Sequence, residues 1–342
     1  MVTMKDIANA LDISPTTVSL VLNQKPNRIS KSTKEKILFM AQQMNYCPNQ
    51  LAVGLAKKRT KTIGLILPDI SNIFFAELAR GIDDQARERG WNIIFSSSSD
   101  LFERDLENIR TLYARGVDVI TIAMASQATD KNIQEYRNLI DSLHIPFIFV
   151  DRYEPSLSCS SIMLNQKKGL YLATKHLLEL GHEKTACVIG PMNLNTTKER
   201  LEGYALAYRE ANIPIPADYF FEGDFSFHSG SAAVEKFIRL GFTAILAFND
   251  MMAYGIYKKL KELNIRIPED ISVVGFDDLF FSELSDPPLT TIRQPANEIG
   301  MTAAIKAIEE AEQENPSKQN IFFEPLLVVR ESTQKNTKTE SK

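Results

Sequence analysis

Short apolar repeats at helical spacing mark the first part of the chain. They recur every three or four residues and are separated by turn and cap residues, which is the pattern of amphipathic helices. Three short helices are predicted, with apolar faces at Ile7, Ala8 and Leu11, at Val18, Val21 and Leu22, and at Ile37, Ala41 and Met44.

Cap residues place the starts of these helices. Thr3, with Asp6 three residues later, has the spacing of a capping box. Ser14 followed by Pro15 fits an N-cap and a first helical position, and Ser30 fits the third N-cap. Two short helices joined by a tight turn predict a helix-turn-helix, whose second helix enters the major groove of DNA. The surface that it would present there consists of Pro15, Thr16, Thr17, Ser19 and Leu20.

From Thr62 onward the pattern changes to short apolar runs that alternate with helical stretches. The runs predict strands near 63–67, 91–95, 117–123, 146–150, 185–190, 243–248 and 271–276. The stretches predict helices near 74–89, 131–142, 168–180, 198–211 and 229–240. This alternation predicts an α/β fold of doubly wound parallel sheets with helices on both faces. A length of 342 residues suits two or three domains.

Charge separates the two parts of the chain. Residues 1–61 contain ten Lys or Arg and three Asp or Glu, a balance of +7 within a total of −4, so the remainder carries −11. A small basic segment on an acidic body indicates that the segment binds a polyanion such as double-stranded DNA.

Other features point to the cytoplasm. No run of 18 or more apolar residues exists, and the polar N-terminus does not have the pattern of a signal peptide, so we expect no membrane segment. The three cysteines, Cys47, Cys159 and Cys187, are odd in number and widely spaced, which fits a reducing compartment without disulfides.

The sequence motifs do not indicate an enzyme. His176 and His182 are six residues apart, which is the wrong spacing for metal ligands on one helical face, and no HExxH, GxSxG, Walker A or GxGxxG pattern occurs. Asp250 and the pair Asp277-Asp278 are interpreted as helix caps and hydroxyl acceptors rather than as acid–base catalysts. We therefore expect no enzyme activity, no cofactor and no metal.

Binding residues are expected where parallel strands end, because ligands of such sheets lie in the loops beyond the carboxyl ends. Those loops combine aromatic rings with amide, carboxylate and guanidinium groups. Rings can cover the C–H faces of a sugar while the polar groups bond its hydroxyls. The candidate ligand-binding residues are Asn72, Phe74, Phe75, Asp151, Arg152, Arg200, Phe225, Asn249, Asp277 and Gln294.

Motifs along the whole chain resemble the LacI family of repressors. The head carries Asp6-Ile7-Ala8, Thr17-Val18-Ser19, Val21-Leu22-Asn23 and Asn45-Tyr46. The body carries PDISN.FFAEL at 68–78, HLLELGH at 176–182, IPEDISVVGFDD at 267–278 and PPLTTIRQP at 287–295. The resemblance runs from Thr3 to about Thr333.

This resemblance implies a hinge helix that forms on DNA and wedges a leucine, matched by Leu55, into a minor-groove step. Two positions depart from the family. Leu20 replaces a common arginine, and Gly54 should cost the hinge about 1 kcal/mol relative to alanine. The implied DNA-binding residues are Thr3, Pro15, Thr16, Thr17, Ser19, Leu20, Asn23, Asn49, Ala52 and Leu55.

The resemblance also implies a body of two subdomains, similar to periplasmic sugar-binding proteins of type I, with a small effector between them. The expected divisions are a helix-turn-helix domain at 1–47, a hinge at 48–59, an N-subdomain at 60–160 with 290–321, a C-subdomain at 161–289 with 322–332, and a disordered tail at 333–342. Ribose-responsive relatives have a similar ligand set, so ribose, or another pentose or hexose, is the first candidate effector. Purine-responsive members carry an additional arginine ahead of the position of Arg200, where this chain reads Asn193-Leu194-Asn195-Thr196.

The expected protein is a homodimeric repressor of a carbohydrate-utilisation operon. Its two-fold symmetry would match a palindromic operator, and the effector would act by binding two conformational states unequally. Two alternatives stay open: control by a phosphocarrier protein or a non-sugar metabolite, and, in a different class, a pure sugar-binding protein, which would lack the head.

Overall fold

The chain forms two compact units, a head of Met1–Thr60 and a body of Lys61–Lys342. The structure is a computed structural model that describes residues 2–23, 26–46, 59–127, 132–215 and 217–337. Asn49, Ala52 and Leu55, with the expected hinge up to residue 58, lie outside the described residues, as do residues 338–342 of the expected tail.

The head contains three helices, α1 (Met4–Leu11), α2 (Pro15–Leu22) and α3 (Lys31–Gln43). Thr3 and Asp6 form the capping box of α1, and Ser14 caps α2 by accepting from the backbone N–H of Thr17 at 3.0 Å. Asp12, with φ of 51°, ends α1 in the left-handed conformation that turns the chain into α2. The apolar faces meet in one small core formed by Ile7, Ala8, Val18, Val21, Ile37 and Ala41.

The body alternates strands and helices as the apolar pattern predicts. Its strands are β1 (Thr62–Leu67), β2 (Asn92–Ser97), β3 (Val119–Ile122), β4 (Phe147–Val150), β5 (Ser160–Leu164), β6 (Thr185–Ile189), β7 (Phe220–Glu222), β8 (Ala244–Ala247), β9 (Ser272–Asp277), β10 (Thr290–Arg293), β11 (Asn320–Phe323) and β12 (Leu326–Val328). Its helices are α4 (Ile73–Glu88), α5 (Phe102–Ala114), α6 (Ile133–Leu143), α7 (Gln166–Glu179), α8 (Asn195–Glu210), α9 (Phe227–Arg239), α10 (Asp250–Glu262), α11 (Phe280–Leu284) and α12 (Ala296–Glu312), with a 3₁₀ turn at Ala217–Tyr219.

The strands form two six-stranded sheets, each the centre of one subdomain. The first subdomain has the order β11-β5-β4-β3-β1-β2 and the second has the order β12-β10-β9-β8-β6-β7. All neighbouring strands are parallel except β12, which runs antiparallel to β10 at the edge of the second sheet. Apolar clusters fill the space between each sheet and its helices. The expected class, doubly wound α/β subdomains behind a helix-turn-helix head, is confirmed.

The chain changes subdomain after Leu164, Arg293 and Phe323. The sequence divisions at 160, 289 and 321 therefore fall too early in all three crossovers. Strand β5 pairs with β4 and β11 in the first sheet, and β10 pairs with β9 in the second. The divisions were predicted too early because the sheet to which each strand belongs is decided by pairing with strands distant in the sequence, which the local apolar pattern does not reveal.

The expected disordered tail is wrong for its first residues. The hydroxyl of Thr333 lies 2.9 Å from Nε2 of His176, and the backbone N–H of Asn336 donates to the carbonyl of Leu180 at 2.8 Å. Polar composition suggested solvent, but these residues satisfy polar groups at the end of α7 in the second subdomain. In the described part of the chain, none of the helices is long and apolar enough to cross a membrane.

Helices α9 and α10 cross at two glycines. A Cβ atom on Gly255 would lie 1.9 Å from the carbonyl oxygen of Phe227, and one on Gly230 would lie 2.0 Å from the carbonyl oxygen of Met252. Both helices place backbone against backbone here, so only glycine fits.

We predict that Gly255→Ala destabilises the protein by about 3 kcal/mol, because two helix backbones must separate. This sign is opposite to that in an open helix, where alanine is the more stable residue by up to about 1 kcal/mol. Gly90→Ala is the control. Gly90 has φ of 71° with open space around it, so the control measures backbone strain alone, about 1–2 kcal/mol. Urea unfolding compares the two, and a loss for G255A no larger than that for G90A contradicts the prediction.

Candidate functional site

The first turn of α4 supplies one wall of a cavity. Asn72 caps this helix by accepting from the backbone N–H of Phe74 at 3.1 Å. Phe74 and Phe75 follow it, both buried, with their rings edge to face at a centroid distance of 5.2 Å. The loop after β1 carries the capping Asn72, so the two rings fall within the first turn of the helix, which begins at Ile73.

Arg152 is held by the first subdomain beside this wall. It follows Asp151, whose left-handed φ of 62° turns the chain sharply after β4. The Nη1 atom of Arg152 donates to Asp100 at 2.6 Å and to the carbonyl of Met124 at 3.3 Å. Its guanidinium carbon lies 5.5 Å from the centre of the Phe75 ring, so the charge is fixed against an aromatic face.

Arg200 is the corresponding cation of the second subdomain. It lies on α8, is buried, and donates from Nε to the side-chain oxygen of Gln166 at 2.8 Å and from Nη1 to the carbonyl of Phe248. The guanidinium carbon stands 3.7 Å from the centre of the Phe276 ring. These contacts hold Arg200 inside the protein. Glu202, its acidic neighbour on α8, pairs with Lys167 at 3.0 Å at the surface instead.

Phe225 and Asn249 form a second wall. The amide of Asn249 donates to the carbonyl of Phe225 at 2.9 Å, and its oxygen caps α10 through the N–H of Met252 at 2.9 Å. Phe225 has φ of 65°, and its ring lies where a Cβ atom on Gly190 would be only 2.1 Å away. Gly190 thus leaves room for the ring over the end of β6.

Asp277 and Gln294 close the set at the ends of β9 and β10. The amide of Gln294 donates to Oδ1 of Asp277 at 2.6 Å, and the backbone of Asp277 has φ of 132°. Within the described residues, the buried Oε1 atom of Gln294 has no hydrogen-bond partner in the protein. A buried acceptor without a partner costs about 1–3 kcal/mol, so this atom is suited to receive a ligand donor.

All ten residues that the sequence singled out line this one cavity, and Thr196 joins them. The cavity has a volume of about 30 Å³, which leaves room for roughly one water molecule. A sugar therefore requires the two subdomains, or the side chains between them, to move apart. Four of the residues also line an adjoining groove of about 530 Å³ between the subdomains.

The cavity balances two buried carboxyls against two guanidiniums. Burial raises the pKa of Asp151, opposed by Arg152 and Arg200. Burial, with the neighbouring Asp250, raises the pKa of Asp277 well above its usual value, although Arg200 opposes this. Burial also lowers the pKa of Arg200, which Asp277 and Asp151 counteract. Each charge thus depends on the others, as expected where ionic groups are withdrawn from water.

The mouth of the adjoining groove is acidic. Asp69, Asp100 and Asp224 line it, and Arg152 is its cation. Because Arg152 is already paired with Asp100 at 2.6 Å, the field at the entrance is negative and disfavours anionic ligands.

Several of the side chains predicted to bind DNA also form hydrogen bonds within the head. The hydroxyl of Thr3 donates to Asp6 at 2.8 Å, the hydroxyl of Thr17 lies 2.8 Å from that of Ser14, and Asn23 donates to Oγ of Ser19 at 3.1 Å. These groups help to hold α1 and α2 in place. Pro15 and Thr16 are exposed at the start of α2, and Leu20 is half-buried.

Sequence reasoning missed three residues, of which Thr196 lines the cavity while Asp100 and Gln166 hold its two arginines. Thr196 lies in the first turn of α8, just after the loop that follows β6, so the rule about carboxyl ends could have found it. Asp100 follows the end of β2 and could have been found in the same way. Gln166 gave no signal, because it lies at the start of α7 and reaches Arg200 only through the packing of α7 against α8.

Comparison with known proteins finds matches to both the head and the body of the chain. The family described as bacterial regulatory proteins, lacI family, matches residues 3–49, and the periplasmic binding protein-like domain matches residues 174–333. The HTH-type transcriptional repressor PurR of Aliivibrio salmonicida is 33% identical over 337 residues, covering 98% of this chain and 100% of that protein.

Solved structures extend the agreement. The structure of the lac repressor dimer bound to operator and the anti-inducer ONPF superimposes with a TM-score of 0.86 at 28% sequence identity. The match covers 97% of this chain and 99% of the lac repressor chain. A LacI family regulator from Enterococcus faecium with bound ribose has a TM-score of 0.72 at 30% identity, covering 81% of this chain and 100% of its own.

A helix-turn-helix head and a two-subdomain binding body together define a DNA-binding transcriptional repressor with an effector domain, rather than an enzyme. The chain belongs to the LacI family of transcriptional regulators.

Asp105 supports the loop that holds Arg152. Its carboxylate accepts from the N–H of Ala125 at 2.8 Å and from the hydroxyl of Tyr136. Burial raises its pKa to about 6, although these hydrogen bonds oppose the rise. Since the folded pKa exceeds the unfolded one, protonation stabilises the folded state, and this contribution is lost as pH rises through about 6.

We predict that stability increases on acidification through Asp105. Between about pH 8 and about pH 5, the free energy of unfolding of the wild type should rise by roughly 1.4 kcal/mol more than that of Asp105→Asn. Urea unfolding at both pH values measures the difference. Equal pH dependence in the two proteins contradicts the assignment.

Proposed function

We propose that this repressor controls a carbohydrate-utilisation operon and that its effector is a small uncharged sugar, with ribose the first candidate and other pentoses or hexoses next. The observation that carries the proposal is the cavity itself, where three phenylalanine rings surround amide, carboxyl and guanidinium groups. Rings cover C–H faces, and the polar groups bond hydroxyls in pairs. The unpartnered Oε1 atom of Gln294 supplies an acceptor for one such hydroxyl.

Charge narrows the ligand class. The carboxylates at the groove mouth disfavour phosphates. The ribose in the related regulator from Enterococcus faecium supports the same class. Purine-responsive members of the family carry an additional arginine in this region, whereas residues 193–196 of this chain contain none. Asn193 instead donates to the carbonyl of Ser126 across the cleft.

The proposed effector acts by changing the relative stability of two arrangements of the subdomains. Tyr153 of the first subdomain donates to Glu199 of the second at 2.9 Å, and Asn193 bonds Ser126, so the cleft is already bridged. A ligand shifts the balance only as far as it binds one arrangement more tightly.

The DNA contacts proposed for the head are centred on Pro15, Thr16 and Leu20 of α2, with Thr3, Thr17, Ser19 and Asn23 around them.

We expect the ligand to be identified by a thermal-shift screen with pentoses, hexoses, their phosphates and purines. A sugar at 100 times its dissociation constant should add about 2.7 kcal/mol of stability. Arg200→Ala should abolish the shift and the change in operator affinity while leaving operator binding without ligand. Asp277→Asn, which keeps the shape of the side chain, serves as a second cavity variant.

Arg209→Ala is the matched control, because Arg209 lies exposed on the same helix as Arg200. It should respond like the wild type. A shift that survives in both cavity variants would place the ligand elsewhere, and a response only to phosphates or purines would reject a free sugar. If no small molecule shifts the wild type, a protein partner becomes the leading explanation.

We further propose that the repressor works as a homodimer through α11. Phe280, Phe281 and Leu284 of this helix are 65%, 51% and 62% exposed, although they are large and apolar. A contiguous exposed apolar surface of this kind indicates a protein contact. A second copy is the proposed partner, because the lac repressor, a dimer on its operator, has the same fold.

Leu284→Asp should raise the dimer dissociation constant by at least about tenfold, which corresponds to the loss of one buried leucine. Operator affinity should fall with it, since two linked heads bind more tightly than one. Leu240→Asp is the control, with the same substitution at a residue 40% exposed at the end of α9. Analytical ultracentrifugation decides the matter, and equal behaviour of the two variants would exclude α11 from the interface.

A further inference from the structure

The carboxylate of Asp250 is buried directly behind the cavity. It is fully buried, and it follows Asn249 of the cavity wall. Its Oδ2 atom accepts from the backbone N–H of Leu279 at 2.9 Å and from the hydroxyl of Ser282 at 2.6 Å, while Oδ1 accepts from the hydroxyl of Thr291 at 2.6 Å. Three donors on one carboxylate explain how a charge-bearing group is accommodated there.

Space for this carboxylate is made by the neighbouring strand. A Cβ atom on Gly275 of β9 would lie 2.1 Å from Oδ1 of Asp250. The carboxylate therefore reaches across the end of β9, two residues before Asp277 of the cavity. Asp250 is also the group that, after burial, does most to raise the pKa of Asp277. Asp250 is thus connected to the cavity through the chain at Asn249 and through the field at Asp277.

Leu279 connects the same carboxylate to the other subdomain. Its backbone N–H is held by Asp250 of the second subdomain, while its side chain is buried in the apolar cluster of the first. That cluster also contains Phe74 and Phe75, the rings that line the cavity. A displacement of the rings by a ligand would reach Leu279, which is fixed at its backbone.

Helix α11 begins at the next residue. Ser282 lies on its buried side, where its hydroxyl bonds Asp250 and lies 2.7 Å from the hydroxyl of Tyr254. Phe280, Phe281 and Leu284 are exposed on the same helix. One carboxylate therefore holds both the start and the middle of the segment that carries the exposed apolar surface.

We propose that Asp250 is a positioning residue, which transmits occupation of the cavity to the exposed face of α11 through its bonds to Leu279 and Ser282. It does not line the cavity, so it acts on the effector response without contacting the ligand. The inference rests on the proposed function, in which a ligand occupies the cavity and α11 forms the dimer contact.

Two substitutions separate this role from general support of the fold. Ser282→Ala and Thr291→Val each remove one hydroxyl donor from the same buried carboxylate, and each replacement fits the existing space. Ser282→Ala also removes the contact with the hydroxyl of Tyr254, so Tyr254→Phe, which removes that contact alone, is measured beside it. If Asp250 only stabilises the fold, S282A and T291V should have the same effect on stability and regulation. If it positions α11, the loss of Ser282 should affect regulation more than the loss of Thr291, because Ser282 belongs to that helix whereas Thr291 lies on β10 and bonds the other carboxylate oxygen.

The first arm uses the full-length protein without ligand. Hydrogen exchange over 279–285 and the dimer dissociation constant are measured for the wild type, S282A and T291V. We expect S282A to lose protection in this segment and to raise the dissociation constant about tenfold, the effect of one hydrogen bond to a charged group. T291V should stay within about twofold of the wild type, a difference smaller than one such bond. Equal values for S282A and T291V overturn the proposal.

The second arm adds D-ribose as the probe and measures operator affinity with and without it. S282A should bind ribose as the wild type does but show a ribose-induced change in operator affinity reduced about tenfold. A full response in S282A overturns the proposal. If the wild type ignores ribose, the proposed effector is wrong, and the first arm alone decides whether Asp250 positions α11.

Discussion

The buried guanidinium of Arg200 is the constraint on which the cavity depends. A cation removed from water must find acceptors, and this one finds Gln166, the carbonyl of Phe248 and the face of Phe276. These partners come from a helix start, a strand end and a neighbouring strand, so the position of Arg200 fixes three elements of the second subdomain. Asp277 and Asp151 then complete the charge balance across the cleft.

Such an arrangement explains why the cavity is polar yet nearly closed. Ion pairs and hydrogen bonds within the cavity wall satisfy most of its polar groups without a ligand. These contacts keep the two subdomains together. A ligand must replace some of these contacts with its own hydroxyls. Its affinity is therefore the difference between two sets of bonds, and modest changes in the wall shift the balance between the arrangements.

Much of this could be predicted from the sequence, for a topological reason. Parallel strands end at one edge of a sheet, so Asn72, Asp151 and Asn249, which are distant in the chain, could be placed in one cavity by their positions after apolar runs. The same rule reached Gln294 through the last crossover. The helix starts of the head followed from local cap chemistry at Thr3 and Ser14.

Contacts that depend on packing between elements could not be predicted. Gln166 reaches Arg200 only because α7 and α8 lie side by side, and the crossovers were placed early because β5 and β11 find their partners in distant sequence. Thr333 looked like part of a solvated tail, since its polar side chain carries no sign of the histidine that it meets. The carboxylate of Asp250 was correctly interpreted as a hydroxyl acceptor, but which hydroxyls it accepts is decided by the fold.

The positive φ angle of Asp151 bears on how ligand preference changes in evolution. At such backbone positions aspartate, asparagine and glycine are tolerated best, whatever the ligand requires. An aspartate kept there in a relative is therefore weak grounds for assuming a shared effector, because the turn alone selects for it. Gln294, which neither has a positive φ nor caps a helix, can vary with the ligand, and it is a more informative position for sorting relatives by what they sense.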